Sequence, residues 1–428
     1  MSKKTLLEKA FLVAIVFDKE PSHGWGASDI IDELKELVTS SGLEVAGDII
    51  VKRSRPTARL LIGSGKAEQI GELATDAGAE VIITSRDLSP AQARNLEELT
   101  QLKVIDRTQL ILDIFAQRAK SNEGKLEVEL AQLVYLLPRL TGRGILLSRL
   151  GGGIGTRGPG EQVLETARRS IRDQIVRLKK DLLRLKDKRA SLRKGRLDKL
   201  FTTVALVGYT NAGKSTLLNT LTASDEVTEN QLFSTLDPVV RKLVLPNKQK
   251  LLLVDTVGFL HELPHHLIES FKATLEEAVG AEMLLHVVDI SHPKAYQHAE
   301  AVYEILEELK IKDKPIITVL NKIDQGPDKD TVERFIRHFP NCVPVSALKK
   351  ENIAELTEIL TRMTTAVLTP AEFLVPHSKM KLVNLIYREG EILEREDTAE
   401  GIRIKALLPA LLVGQIEKEI ASALRASQ

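Results

Sequence analysis

The chain has a single cysteine, Cys342, so no disulfide can form within it. That fits a reducing compartment and excludes a small disulfide-stapled fold. Aromatic residues make up only 4% of the 428, with one tryptophan, Trp25, so a platform for stacking nucleic-acid bases is not expected. Long apolar runs are missing too. Phe11–Phe17 is followed by Asp18, whereas a membrane helix needs roughly 20 apolar residues. No small-residue cleavage site follows it, so the run reads as a buried strand. A zinc site is not expected either. His261, His265 and His266 cluster without a cysteine or a zinc-type spacing and read as loop residues.

Net charge is also nearly absent, at +1, but its distribution is uneven. Arg168 to Lys199 holds 14 basic and 4 acidic residues, a local balance of +10, which leaves the rest at −9. Hydrophobic residues at 43% and charged residues at 28% are the proportions of a folded soluble protein. The length suffices for about three domains at ~150 residues each.

Short apolar strands alternate with amphipathic helices over residues 1–118, the pattern of a parallel-sheet α/β domain. Strands are expected at Phe11–Phe17, Leu43–Lys52, Arg59–Gly63 and Val81–Ser85, and helices at Ala27–Thr39, from Lys66, and at Pro90–Leu99. Residues 119–200 differ. Leu126, Leu130, Leu133 and Leu137, then Leu164, Ile171, Ile175, Leu178, Leu182, Leu185 and Leu192, keep coiled-coil-like seams on either side of a glycine-rich interval. They predict a long antiparallel helical hairpin, with Pro138 kinking or ending its first helix. From 201 to 370 the alternation resumes. Strands are expected at Thr203–Val207, Val239–Leu245, Lys250–Asp255, Met283–Asp289, Pro315–Leu320 and Cys342–Val345, the second and third as an antiparallel hairpin. Residues 371–428 read as a small α/β unit, with Val383–Tyr387 extended or helical, Gly401–Ala406 a strand and Ala410–Ala421 a helix.

Gly208-Tyr209-Thr210-Asn211-Ala212-Gly213-Lys214-Ser215 matches G-x-x-x-x-G-K-[ST] between a predicted strand and a predicted helix. The glycines let backbone N–H groups wrap phosphates at a helix N-terminus. Lys214 would reach the β- and γ-phosphates, and Ser215 would ligate Mg²⁺. Asn321-Lys322-Ile323-Asp324 then selects the base. A carboxylate at Asp324 accepts two hydrogen bonds from guanine N1 and its amino group, a pair adenine does not offer. Asn321 would brace the loop and the base, and the Lys322 stem would cover the ring. Ser346-Ala347-Leu348 resembles the loop whose alanine N–H meets guanine O6. Asp255, in Asp255-Thr256-Val257-Gly258, would hold Mg²⁺ through water, and the Gly258 N–H would sense the γ-phosphate. Thr235 is the candidate for a second hydroxyl on Mg²⁺; the alternative is an ordinary loop threonine. Lys214, Thr235 and Gly258 are thus the expected catalytic set. Phe259 stands where the best-known small GTPases carry a water-orienting glutamine, so slow hydrolysis in isolation is expected. Gly63-Ser64-Gly65-Lys66 lacks the first glycine and the hydroxyl of a phosphate loop; it reads as a structural turn, with a second anion site as the alternative.

The interval Gly151-Gly152-Gly153-Ile154-Gly155-Thr156-Arg157-Gly158-Pro159-Gly160 precedes the basic helix. Arg143, Arg149 and Arg157, with Arg168, Arg169, Arg172, Arg177, Lys179 and Lys180, are candidates for phosphate contacts to a folded RNA. The alternative is a solvated helix face.

Taken together, these residues resemble the HflX family of ribosome-associated GTPases. The resemblance also covers Asp106-Arg107-Thr108, Leu110-Ile111-Leu112-Asp113-Ile114-Phe115-Ala116, Val128-Glu129-Leu130-Ala131-Gln132-Leu133, the glycine-rich tip, Gly213-Lys214-Ser215-Thr216, Phe233-Ser234-Thr235-Leu236-Asp237-Pro238 and Asp255-Thr256-Val257-Gly258-Phe259. One departure follows the tip. The family pattern Glu-Thr-Gln-Leu-Glu-Thr-Asp-Arg-Arg is replaced by Glu161-Gln162-Val163-Leu164-Glu165-Thr166-Ala167-Arg168-Arg169. The resemblance implies a P-loop GTPase domain with a mixed, mostly parallel sheet, an α/β N-terminal domain and helical hairpin before it, and a small C-terminal α/β unit after it. It further implies GTP/GDP and Mg²⁺ as ligands, the large ribosomal subunit and its rRNA as partners, and splitting of stalled ribosomes under stress, with hydrolysis stimulated by the ribosome. A cytoplasmic monomer is expected. The alternatives are a large-subunit assembly GTPase and an RNA-binding module with a regulatory nucleotide site.

Overall fold

The computed structural model describes residues 8–18, 25–140, 159–197, 202–224, 232–233, 237–261, 272–311, 314–339, 341–365, 368–408 and 410–426. The chain divides into two compact units: Met1–Asp187 with Glu229–Asp237 and Glu262–Ala273, and Lys188–Thr228 with Pro238–His261 and Thr274–Gln428.

In the first unit, strand β1 (Lys9–Phe17) carries the apolar run and is buried along nearly its whole length. Such a strand suits the centre of a parallel sheet, covered on both faces. It lies between β2 (Glu44–Arg53) and β3 (Val81–Thr84), with β4 (Lys103–Asp106) beyond β3, and every pairing is parallel. Helix α1 (Ala27–Ser40) buries Ile31, Leu34, Leu37 and Val38 along one stripe. Helix α2 (Ser64–Asp76) follows Gly63 at its N-cap. Helix α3 (Pro90–Thr100) starts with a reciprocal cap between Ser89 and Gln92 and a proline at its first position. Arg59–Gly63 does not form the expected strand. Leu60, Leu61 and Ile62 are buried, but Thr57 and Leu61 exchange two backbone hydrogen bonds of 3.0 Å, and Leu61 sits at φ 63°. The run is apolar because it packs inward as a closed loop.

Asp106 ends β4 and caps α4 (Arg107–Arg118), accepting the Gln109 N–H at 2.9 Å. The same buried carboxylate accepts from the Leu88 N–H (3.1 Å), the Tyr135 hydroxyl (2.7 Å) and the Arg139 guanidinium (2.8 Å). Tyr135 and Arg139 lie on α5 (Asn122–Arg139), which packs against α3 and α4 and ends one residue after Pro138. The start of α5 is held from elsewhere in the chain. Asp237 accepts the N–H groups of Lys120 (2.9 Å) and Ser121 (2.7 Å) and the Ser121 hydroxyl. Phe233 is buried edge-on against Phe115 at 4.5 Å, and the Leu232 N–H donates to Ser40 Oγ at 3.1 Å. Helix α6 (Pro159–Leu197) is the long basic helix. Trp25 is buried as a packing residue.

The second unit holds a six-stranded sheet in the order β10-β9-β8-β5-β7-β6. Its strands are β5 (Thr202–Gly208), β6 (Val239–Val244), β7 (Lys250–Asp255), β8 (Met283–Asp289), β9 (Ile316–Asn321) and β10 (Cys342–Pro344). Only β6 runs antiparallel, paired with β7 as a hairpin. Helices α7 (Lys214–Thr222), α8 (Lys272–Gly280), α9 (Ala295–Glu308), α10 (Lys329–His338) and α11 (Ile353–Thr365) accompany it, and its core is an aliphatic cluster centred on Val204, Leu206, Leu253, Leu285 and Val319. A three-stranded antiparallel sheet follows, of β11 (Thr369–Val375), β12 (Glu391–Asp397) and β13 (Ile402–Leu408), in the order β11-β13-β12. Its helices α12 (Met380–Glu389) and α13 (Ala410–Ala426) share a core with it. Among the described residues, no helix is long and apolar enough to cross a membrane.

Asp106→Ala leaves the Arg139 cation and the Tyr135 hydroxyl without their acceptor and uncaps α4. We expect the first unit to lose about 2–4 kcal/mol, measured by denaturant unfolding followed at Trp25. A loss below about 0.5 kcal/mol, the range of an ordinary surface change, would contradict this role.

Candidate nucleotide-binding site

The phosphate loop leaves the end of β5 and enters α7. Its geometry needs glycine twice. A Cβ on Gly208 would overlap the Val287 carbonyl oxygen, and one on Gly213, at φ 91°, would overlap Asn321 Nδ2. Lys214 is buried, and its ammonium donates to the carbonyls of Gly208 (3.1 Å) and Tyr209 (2.9 Å). Burial pushes the Lys214 amine down to about 8, with Asp255 pulling the other way.

Ser215 Oγ donates to Asp255 Oδ2 at 2.6 Å. Asp255 ends β7, beside β5. A hydroxyl and a carboxylate placed together at the foot of the phosphate loop are the hard oxygen donors that Mg²⁺ takes. The Thr210 hydroxyl is buried with no hydrogen-bond partner among the described residues.

The segment after Asp255 is tied to the phosphate loop. The Phe259 N–H donates to the Gly208 carbonyl at 3.1 Å, and the Phe259 carbonyl accepts the Thr210 N–H at 2.8 Å. The Tyr209 hydroxyl accepts the His261 N–H at 2.9 Å. Gly258 therefore lies so close that a Cβ there would stand 2.8 Å from Thr210 Cα and 3.0 Å from Lys214 Nζ. The Phe259 ring is 1% exposed, so it offers nothing to a water molecule.

The Ser346–Leu348 loop is joined to the phosphate loop through Asn321. This residue ends β9 and is 3% exposed. Its Nδ2 donates to the Ala212 carbonyl at 2.9 Å, and its Oδ1 accepts the Ala347 N–H at 3.0 Å. Asp324 Oδ1 accepts the Ser346 hydroxyl at 2.7 Å, and Ser346 Oγ accepts the Lys349 N–H at 3.0 Å. Thr220 Oγ1 donates to the Ala347 carbonyl at 2.7 Å. Leu348 is 76% exposed at the rim. Asn211, Ala212 and Thr216 belong to the loop and the first turn of α7.

Thr235, Arg143, Arg149 and Arg157 lie outside the described residues. On α6, Arg169, Arg172, Arg177, Lys179 and Lys180 are exposed and Arg168 is half-buried. His261 lies beside Tyr209, which stacks on His298 at 3.8 Å; among the described residues no group of three or more His, Cys, Asp or Glu side chains could hold a metal. The sequence did not single out Asp289, whose carboxylate pairs with Lys322 Nζ at 2.7 Å. An acidic residue at the C-terminal end of a strand beside the one carrying Asn321 is the signal that would have found it.

A phosphate loop, an acidic strand end beside its serine, and a buried asparagine linking that loop to the Ser346–Leu348 loop define a P-loop GTPase. The GTPase HflX of Lacrimispora saccharolytica is 44% identical over 414 residues, covering 96% of each chain, and that of Escherichia coli K12 is 40% identical over 403 residues, covering 93% of each. The chain belongs to the HflX family. Successive stretches match the families described as GTP-binding GTPase N-terminal (28–116), GTP-binding GTPase Middle Region (118–196), 50S ribosome-binding GTPase (203–322) and HflX C-terminal domain (331–423). Among solved structures, a GTP-binding protein from Sulfolobus solfataricus in complex with GDP is similar, with TM-score 0.45 and 25% identity over 84% of this chain and 99% of that one.

A Lys214 amine placed against the phosphates should make nucleotide binding pH-dependent. Below about 8 the free protein already carries the ammonium. Above it, a bound polyphosphate must draw a proton onto the amine, so affinity falls as pH rises. Between about pH 8 and 9 the dissociation constant for GDP should rise severalfold, approaching about tenfold per unit, with proton uptake in calorimetry across buffers of different ionisation heat. Lys214→Arg should remove the uptake. A flat affinity from pH 7 to 9 in the wild type would contradict the assignment.

Proposed function

We propose that this chain uses GTP binding and hydrolysis to gate its attachment to the large ribosomal subunit and to split stalled ribosomes into subunits, in the cytoplasm and under stress. The observation that carries the reading is one chain holding both a guanine-type site built around Asn321 and a long helix, α6, that exposes Arg169, Arg172, Arg177, Lys179 and Lys180. A helix so charged suits phosphate contacts to folded rRNA, and the central family bears the description 50S ribosome-binding GTPase.

In the proposed reaction, water attacks the γ-phosphorus while the bond to the bridging oxygen of the β-phosphate breaks, leaving GDP and phosphate. The loop amides of residues 208–216 and Lys214 take up charge on the β- and γ-phosphates. Ser215, Thr235 and, through water, Asp255 would hold Mg²⁺, which when bound would neutralise charge on the phosphate oxygens. The Gly258 N–H reports the γ-phosphate. Asp324, Lys322 and the Ser346–Leu348 loop receive the base. Phe259 cannot orient the attacking water, so the isolated monomer turns over slowly and the ribosome supplies what is missing.

Gradient sedimentation tests the reading. Intact ribosomes incubated with the protein and a non-hydrolysable GTP analogue should yield free subunits, and Lys214→Ala should abolish the effect. Ribosomes that stay joined while only immature large subunits bind the protein would favour an assembly role. Binding that persists without nucleotide would favour an RNA-binding module. Separately, turnover by the isolated protein at ~1 s⁻¹ or faster would contradict the need for stimulation.

A further inference from the structure

We propose that Asp289 is a positioning residue for guanine recognition: it tethers Lys322 so that the lysine stem lies over the base and its ammonium stays away from Asp324. This inference rests on the guanine reading of the site and deepens it.

Asp289 is the last residue of β8 and stands in register with Asn321, the last residue of β9. The two strand ends are also joined by the Ile290 N–H, which donates to the Asn321 carbonyl at 3.1 Å. Lys322 therefore leaves β9 directly beside the Asp289 carboxylate. Its Nζ lies 2.7 Å from Asp289 Oδ2, with side chains only 19% and 16% exposed. The other carboxylate oxygen is fixed independently. Asp289 Oδ1 accepts the Ser291 N–H at 3.1 Å and the Ser291 hydroxyl at 2.5 Å. Ser291 Oγ also lies 2.9 Å from Gln325 Oε1, in the short turn Ile323–Gln325 that carries Asp324. Asp289 is thus a rigid anchor rather than a surface acid that happens to meet a lysine.

Lys322 needs such an anchor for two reasons. Its backbone is at φ 67°, in the left-handed region where a side chain is not held by a helix or strand. A lysine stem also has many rotamers, and covering an aromatic ring requires one extended path. The second reason is electrostatic. Lys322 and Asp324 are two residues apart, and Asp324 must present its carboxylate to the base, a position it keeps here by accepting from Ser346. An untethered ammonium would compete for that carboxylate. Asp289 supplies an alternative anion, 2.7 Å from the Lys322 ammonium.

The test measures binding of GDP carrying a fluorescent methylanthraniloyl group to the full chain, with kcat and KM for GTP. Asp289→Asn should weaken binding about tenfold and raise KM while kcat changes by less than about twofold. Asp289→Glu, which keeps the charge, should restore most of the affinity. In a Lys322→Met background Asp289→Asn should add nothing, because the residue acts through the lysine. Asp289→Asn that binds like the wild type, or that weakens binding equally with and without Lys322, would overturn the proposal, as would a fall in kcat with KM unchanged. If the wild type itself binds the labelled ADP as well as the labelled GDP, the guanine reading fails and the proposal falls with it; the wild-type control separates that outcome from the others.

Discussion

One buried amide holds the site together. Asn321 donates to the phosphate loop and accepts from the Ser346–Leu348 loop, so neither half can move without breaking a buried hydrogen bond, a loss of about 1–3 kcal/mol. The contact exists because β5, β8 and β9 are neighbouring parallel strands whose C-terminal ends lie together. Such a sheet delivers its loops to one edge, where ligands of this fold class bind. Gly213 accommodates the same asparagine by having no Cβ.

Around that frame, Lys214 and the Gly258–Phe259 segment are held by contacts within and to the phosphate loop. Lys214 rests on two carbonyl oxygens of its own loop. Gly258 and Phe259 are pinned by two backbone hydrogen bonds to Gly208 and Thr210. A phosphate oxygen is a better partner for an ammonium than a neutral carbonyl is, so a triphosphate can take over these contacts at small cost. The buried aromatic ring of Phe259 helps to secure the segment.

Much of this was legible in the sequence because the chemistry requires particular residues at particular spacings. The G-x-x-x-x-G-K-[ST] run, the Asn321–Asp324 motif and the strands that carry them stand where pattern and propensity placed them, within a residue or two. The misses have physical causes. Arg59–Gly63 is apolar because it packs inward, and periodicity does not separate a short buried loop from a short strand. Strand β4 was passed over because its apolar core is only Val104 and Ile105, between Lys103 and Asp106, and β12 because its exposed charged face, Glu394 to Asp397, hides the alternation. Val383–Tyr387 was ambiguous as a five-residue run and proves to lie inside α12. Asp289 and Asp237 were not read because each acts on a residue far away in the chain, a relation that only the assembled sheet and helices reveal.

The central claim is that Asp324 chooses the base while the loop at Lys214 clasps the phosphates of the same molecule. Titration of the full-length protein with GTP, ATP and xanthosine triphosphate, in the wild type and in Asp324→Asn, tests it most directly. The account predicts strong preference for GTP in the wild type and a shift toward xanthosine triphosphate in the variant, whose amide donates where the carboxylate accepted. Equal binding of ATP and GTP by the wild type, or an unchanged preference in Asp324→Asn, would contradict it.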